Sequence, residues 1–344
     1  MPMTHRSFMA QEIAAAPDIV ARQAGSLAEP LARLVARLDQ RPPRLVVTCA
    51  RGSSAHAATF GKHLIERYLA IPVAAAAPSI ASVYHLSLRL QDQLVLLISQ
   101  SGKSDDLIAF ARRAQASGAV TVAITNDAAA PLAAACEFVL PIGAGPELSV
   151  AATKTFVSTV SALLRLTAAW ARLAPLAAAV ERLPLRLAAA GNLDWGISAA
   201  ALAGAASLVT IGRGPTLAIA REAALKLKET CNLHAEAFSG AEFLHGPVAL
   251  VSPHYPVLLF MPTDAAAHGM REFVGLVRSK GSVLFAAEAG PVAPHRLPVL
   301  AADQPETDAV CLIQSFYTMI VGLAERLGTD IDKPRNLNKV TRTL

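Results

Sequence analysis

Carboxylates, imidazoles and a lysine crowd together in "REAALKLKETCNLHAEAFSGAEFLHGP", residues 221–247. Glu222, Lys226 and Glu229 recur there at helical spacing among Ala and Leu, and His234, Glu236, Glu242 and His245 follow within 16 residues of Glu229. Side chains of these types at such short range can supply a general base and a general acid. Surface polarity is the simpler reading of any one pair of them. No HExxH or comparable ligand spacing occurs, so no metal and no other cofactor is expected.

A second concentration lies in "VLLISQSGKSDDLIAF", residues 95–110. An apolar run ends at Ile98, and Ser99, Gln100, Ser101, Gly102, Lys103 and Ser104 follow before the chain turns apolar again at Leu107. In an open parallel sheet, ligands bind beyond the carboxyl ends of the strands. Helix N-termini point there, and their free N–H groups and dipole attract phosphate. Ser99, Gln100, Ser101 and Ser104 add side-chain donors, and Gly102 lets the backbone approach closely. Gly52, Ser53 and Ser54 follow the neighbouring strand with the same chemistry. Helix capping is the alternative for one such loop. Two of them in one sheet, with no GxxxxGK[ST] pattern, favour a phosphate monoester over a nucleoside triphosphate. The polar, basic end "DKPRNLNKVTRTL" holds Lys339 and on its own reads as a solvated terminus. Only eight of the 31 basic side chains are Lys, and six of those eight fall within these motifs or in "ELSVAATKTF", residues 147–156. Lys can do what Arg cannot, imine formation above all.

The elements that must position these residues repeat. "LVVTCA" (45–50), "LVLLIS" (94–99), "AVTVAIT" (119–125) and "CEFVLPI" (136–142) alternate with helical stretches. Continuous apolar strands between helices predict a parallel sheet covered on both faces. The second half does the same at a constant offset of 162 residues: Arg213-Gly214 falls on Arg51-Gly52, "VLLFMPTDA" on "VLLISQSGK", and "SVLFAA" on "VTVAIT". Two copies of one α/β unit, joined by helical sequence around 153–192, are predicted. One large α/β domain is the alternative. The copies differ after the second strand of each. The first has Ser99-Gln100-Ser101-Gly102, the second Met261-Pro262-Thr263-Asp264, so only the first is expected to hold an anion there.

Composition agrees. At 344 residues, two domains are the natural expectation, and 53% apolar content with 5% aromatics predicts a core of Ala, Leu, Val and Ile. The net charge of +5 is spread out, without the basic stripe or aromatic interleaving of a nucleic-acid binder, and suits small anions better. Cys49, Cys136, Cys231 and Cys311 are far apart and suggest neither disulfides nor zinc. Glu12 and Pro17 interrupt any signal-like run, and Arg165, Arg172, Glu181, Arg182 and Arg186 interrupt the long apolar stretch 160–190. A soluble, reduced, cytoplasmic protein with no membrane partner is expected.

Five ordered motifs, "MAQEIAAAPDIV", "SQSG", "ELSVAATKTF", "ALKLKE…HAEAF…GAEFLHGP" and "KPRNLNKV", resemble the SIS (sugar isomerase) family over nearly the whole chain. The resemblance implies two tandem SIS domains, each a three-layer α/β/α sandwich with a mostly parallel sheet. The implied boundaries are an N-terminal helical segment 1–27, domains 28–175 and 190–330, and an active-site tail 331–344. By the same resemblance, Ser99, Gln100, Ser101 and Ser104 form the sugar-phosphate cradle with Gly52, Ser53 and Ser54 beside them. Val150 and Ala152 line the sugar site, where the family often has Ser at the position of Ala152. Glu229 is the base that moves a proton between C1 and C2, assisted by Lys226. His245 opens the sugar ring and can reach the neighbouring subunit's site in an implied homodimer. Lys339 forms an imine with the open-chain ketose.

The family includes synthases that carry a glutaminase domain with an N-terminal nucleophilic Cys. Here residue 2 is Pro and the first SIS unit begins within about 50 residues. Lys103 stands where the synthases typically have an acidic residue, as in stand-alone amino-sugar phosphate deaminases of SIS type. The expected reaction is therefore glucosamine-6-phosphate plus water giving fructose-6-phosphate plus ammonia. The alternatives are a deglycase for fructosamine-type phosphates, an aldose–ketose phosphosugar isomerase acting on a hexose 6-phosphate and, more distantly, a non-catalytic sugar-phosphate sensor.

Overall fold

Runs of Val, Leu and Ile too short for helices build two sheets. The computed structural model describes residues 7–339. The first sheet holds β1 (Val46–Ala50), β2 (Val73–Ala75), β3 (Leu94–Ile98), β4 (Val120–Thr125) and β5 (Phe138–Pro141). Its spatial order is β2-β1-β3-β4-β5, all parallel. Every residue of β3 is at most 1% exposed, which is why its sequence shows no alternation. Val47, Cys49, Val95 and Leu97 pack with Leu107, Phe110 and Ala111 of the Asp105–Ala116 helix.

The second sheet holds β6 (Ser207–Gly212), β7 (His234–Ser239), β8 (Pro256–Phe260), β9 (Val283–Ala287) and β10 (Arg296–Leu297). Its order is β7-β6-β8-β9-β10, again all parallel. This is the first sheet's order strand for strand. The helices repeat as well: Gly52–Leu69 answers Pro215–Cys231, and Asp105–Ala116 answers Ala267–Ser279. The expected tandem α/β architecture with two mostly parallel sheets is what forms. The sequence reading does not include β2 and its counterpart β7, because "VAA" is only three residues long and "HAEAFS" is interrupted by His and Glu.

The chain divides into two compact units that do not follow sequence order throughout. The first is Asp18–Glu147 and Lys154–Glu181 with the tail from Asn338. The second is the chain up to Pro17, Leu148–Thr153 and Arg182–Leu337. In the second unit, Asp332 accepts hydrogen bonds from the Phe8 and Met9 amides (2.8 and 2.9 Å), capping the first helix with a carboxylate. Glu12, 6% exposed, accepts from the Leu148 and Ser149 amides, and Val150 N–H donates to the Asp332 carbonyl at 3.0 Å. The six-residue segment Leu148–Thr153 is thus pinned by a carboxylate and a backbone bond.

Among the described residues, one helix is long and apolar enough to cross a membrane, Pro305–Leu327, and 83% of its most apolar window is buried inside the fold. All four cysteines are free thiols. Burial pushes Cys49, Cys136 and Cys311 up to about 12 and Cys231 to about 11.

Candidate active site

In the first unit, the parallel register pairs Ala50 with Ile98, so the chain leaves β1 and β3 side by side at Arg51 and Ser99. Each then enters a helix, at Gly52 and at Asp105. The loop after β3 folds on itself. Gly102 N–H donates to Ser99 Oγ (3.2 Å) and Lys103 N–H to Ser101 Oγ (3.3 Å). Leu132 N–H donates to the Gly102 carbonyl at 3.0 Å. Gly102 has φ +62°, and a Cβ there would stand 2.5 Å from that of Ala130, so only glycine fits. Ser104 occupies the N-cap position of its helix, yet its hydroxyl makes no capping hydrogen bond. Capping therefore does not account for this serine. Ser99 is 7% exposed, while Gln100, Ser101, Ser104, Ser53 and Ser54 are half-buried and Gly52 and Lys103 are exposed.

Beside the loop, Arg51 Nε donates to Asp106 Oδ2 at 2.7 Å, and Arg51 Nη2 contacts the same oxygen. The Asp106 side chain is 0% exposed, and its other oxygen accepts from Leu107 N–H at 2.9 Å. A third arrangement in this unit involves the tail. Lys339 Nζ lies 3.0 Å from Glu147 Oε2. The buried Glu147 also takes the Thr155 hydroxyl (2.8 Å) and the Thr155 amide (3.1 Å).

The second unit carries the acid–base cluster. On the Pro215–Cys231 helix, Glu222, Lys226 and Glu229 share one face, as the i, i+4, i+7 spacing dictates. Lys226 is 0% exposed, and a buried ammonium requires a partner. It has two: Nζ contacts Glu229 Oε2 directly and lies 3.5 Å from Glu222 Oε1. Tyr317 Oη donates to the same Glu222 oxygen at 3.0 Å, and both residues are fully buried. The Glu229 side chain keeps 22% of its surface exposed. One carboxylate is thus sealed in and the other reaches solvent, with a lysine between them.

His245 lies apart, exposed in the turn after the short Gly240–Phe243 helix. His234 and Glu236 are exposed along β7, and Glu242 is exposed too. Val150 and Ala152 are half-buried in the Leu148–Thr153 segment. In the second unit's counterpart of the serine-rich loop, Thr263 Oγ1 donates to Asp308 Oδ2 at 2.7 Å, and Asp308 also takes Arg186 Nη2 (2.7 Å) and the Asp303 amide. Burial pushes the Asp308 carboxyl up despite these donors. A carboxylate of the chain itself thus occupies the hydroxyl of that loop.

Four partners had no signal in the sequence: Asp106 for Arg51, Glu147 for Lys339, Tyr317 for Glu222, and Asp308 for Thr263. Their separations are 55, 192, 95 and 45 residues, beyond any local periodicity.

An α/β fold of two repeated parallel sheets, with a serine-rich loop in one and a carboxylate–lysine cluster in the other, meets its relatives here. The SIS domain profile matches residues 41–169 and 201–285, and the chain belongs to that family. It is 34% identical over 320 residues to glutamine–fructose-6-phosphate aminotransferase (isomerizing) of Symbiobacterium thermophilum, covering 88% of this chain and 52% of that protein. The chain therefore spans about half the length of the curated relatives it matches. Among solved structures it is similar to a candidate phosphosugar isomerase from Silicibacter pomeroyi DSS-3, with 46% identity, a TM-score of 0.90, and coverage of 95% of this chain and 100% of that one. The C-terminal domain of glucosamine-fructose-6-phosphate aminotransferase from Francisella tularensis follows with 25% identity, a TM-score of 0.85, and coverage of 97% and 100%.

Proposed function

We propose that the chain is a phosphosugar isomerase whose reaction is the deamination of glucosamine-6-phosphate: with water it yields fructose-6-phosphate and ammonia. The observation that carries the reading is the Glu222–Lys226–Glu229 cluster. A carboxylate that reaches solvent, held by a buried ammonium, is suited to take a proton from C2 and return it to C1. Similarity to a candidate phosphosugar isomerase supports the reaction class, and similarity to the aminotransferases supports an amino-sugar or hexose 6-phosphate as substrate. Lys103 in the phosphate loop favours deamination within that class.

In this proposal the serine-rich loop and Gly52, Ser53 and Ser54 hold the 6-phosphate, Val150 and Ala152 line the sugar, and His245 promotes ring opening. Glu229 then moves the proton, converting the C2 amine and C1 aldehyde into a C1 hydroxymethyl and a C2 imine. Lys339 adds to the C2 imine and expels ammonia, leaving a lysyl imine at C2, and water hydrolyses that imine to release fructose-6-phosphate and the free lysine. A cytoplasmic homodimer, with His245 serving the neighbouring site, completes the proposal.

The test is ammonia release from glucosamine-6-phosphate with fructosamine-6-phosphate as comparison. Rapid release from the first supports the reading. Release from the second alone makes the protein a deglycase. The similarity to a candidate phosphosugar isomerase also favours a second reading, an aldose–ketose isomerase. That reading predicts interconversion of hexose 6-phosphates with no ammonia from either substrate.

A further inference from the structure

We infer that Arg51, held by Asp106, is a phosphate-binding residue of the first unit, supplying a positioned guanidinium beside the serine-rich loop. The inference rests on the proposal that this loop holds the 6-phosphate. Apart from Lys103, the loop's own donors are hydroxyls, an amide side chain and backbone N–H groups, all neutral. A phosphate monoester carries up to two negative charges at neutral pH. The Asp106 carboxylate sits two residues beyond Ser104, in the first turn of the helix that follows the loop, with its side chain 0% exposed. Unneutralised, it would repel a phosphate bound at that helix end. Arg51 removes the obstacle by binding Asp106 through Nε and Nη2.

The pairing also fixes where the guanidinium lies. Arg51 follows β1 directly and Ser99 follows β3, and the two strands are hydrogen-bonded neighbours. The Arg51 side chain remains 49% exposed although its Nε edge is engaged. A guanidinium has five N–H donors in a rigid fork, and those outside the Asp106 contact remain for a second oxyanion. Lys103, the other cation of the loop, is exposed and carries its charge on a flexible stem.

The repeat supplies an internal control. Arg213 stands at the position of Arg51, but His268 stands at that of Asp106. Among the described residues no acidic side chain pairs with Arg213, and the loop beside it has no serines. The anchored arginine and the hydroxyl-rich loop occur in the same copy.

The probe is inorganic phosphate, titrated calorimetrically into the wild-type protein and three variants. Ser101→Ala reports on the loop, Arg51→Gln on the guanidinium, and Arg51→Lys keeps the charge without the fork. The expected result is that Arg51→Gln weakens phosphate binding about tenfold or more, the loss for a charge-assisted hydrogen bond, with Arg51→Lys between it and wild type. If Ser101→Ala weakens binding while Arg51→Gln leaves it unchanged, the role of Arg51 is overturned and the loop's role stands. If neither changes it, the phosphate site itself is misplaced and the inference falls with it. Thermal melts of each variant separate loss of binding from loss of fold.

Discussion

The loop after β3 and the loop after β8 began as copies, and what each now holds differs in one respect. In the first unit the loop donates into its own turn and leaves the Ser104 hydroxyl uncommitted to its helix. In the second unit Thr263 gives its hydroxyl to Asp308, an anion built into the chain. Under the proposed function, this position is a ligand cradle in the first unit, whereas in the second an internal carboxylate takes its hydroxyl.

The sharpest way to break the comparison is to attack the cluster that the second unit supports in place of a phosphate site. Glu229→Gln is expected to lower turnover ~10²–10⁴-fold with little change in KM, since general-base catalysis is lost while binding groups stay. Full turnover in that variant would remove Glu229 from the mechanism. Next comes Asp308→Ala, which strips Arg186 and Thr263 of their shared partner. A loss of roughly 3 kcal/mol in urea unfolding is expected, with KM unchanged. Gly102→Ala should cost about 1–2 kcal/mol and raise KM for the sugar phosphate, because its φ of +62° and the Ala130 contact both oppose a Cβ.

A further prediction concerns the thiols. Each is held protonated by burial, with folded values near 11 or 12 against an ordinary 9.0. A raised value stabilises the fold below the unfolded thiol's pKa and is lost as pH rises toward the folded value. Melting temperature should therefore fall between about pH 9 and 12, and iodoacetamide at pH 8 should leave all four cysteines unlabelled in native protein by mass spectrometry.

Much of this was legible in the sequence because it is local. Apolar runs at a constant offset predicted two copies of one α/β unit, whose sheets share one strand order, and helical spacing put Glu222, Lys226 and Glu229 on one face. The edge strands β2 and β7 were hidden because one is only three residues long and the other mixes His and Glu into its apolar residues. The polar partners were hidden for a different reason. Asp106 is an ordinary first-turn acid by its sequence, and its pairing with Arg51 exists only once β1 and β3 are neighbours. Glu147 likewise reads as one more polar residue before a helix until the tail brings Lys339 to it.

The account's central claim is that one copy of the repeat binds phosphate and the other does not. Calorimetric titration with fructose-6-phosphate tests it most directly. The account predicts one site per chain, weakened about tenfold by Ser101→Ala and untouched by Thr263→Val. Two sites per chain, or a site sensitive to Thr263 and indifferent to Ser101, would contradict it.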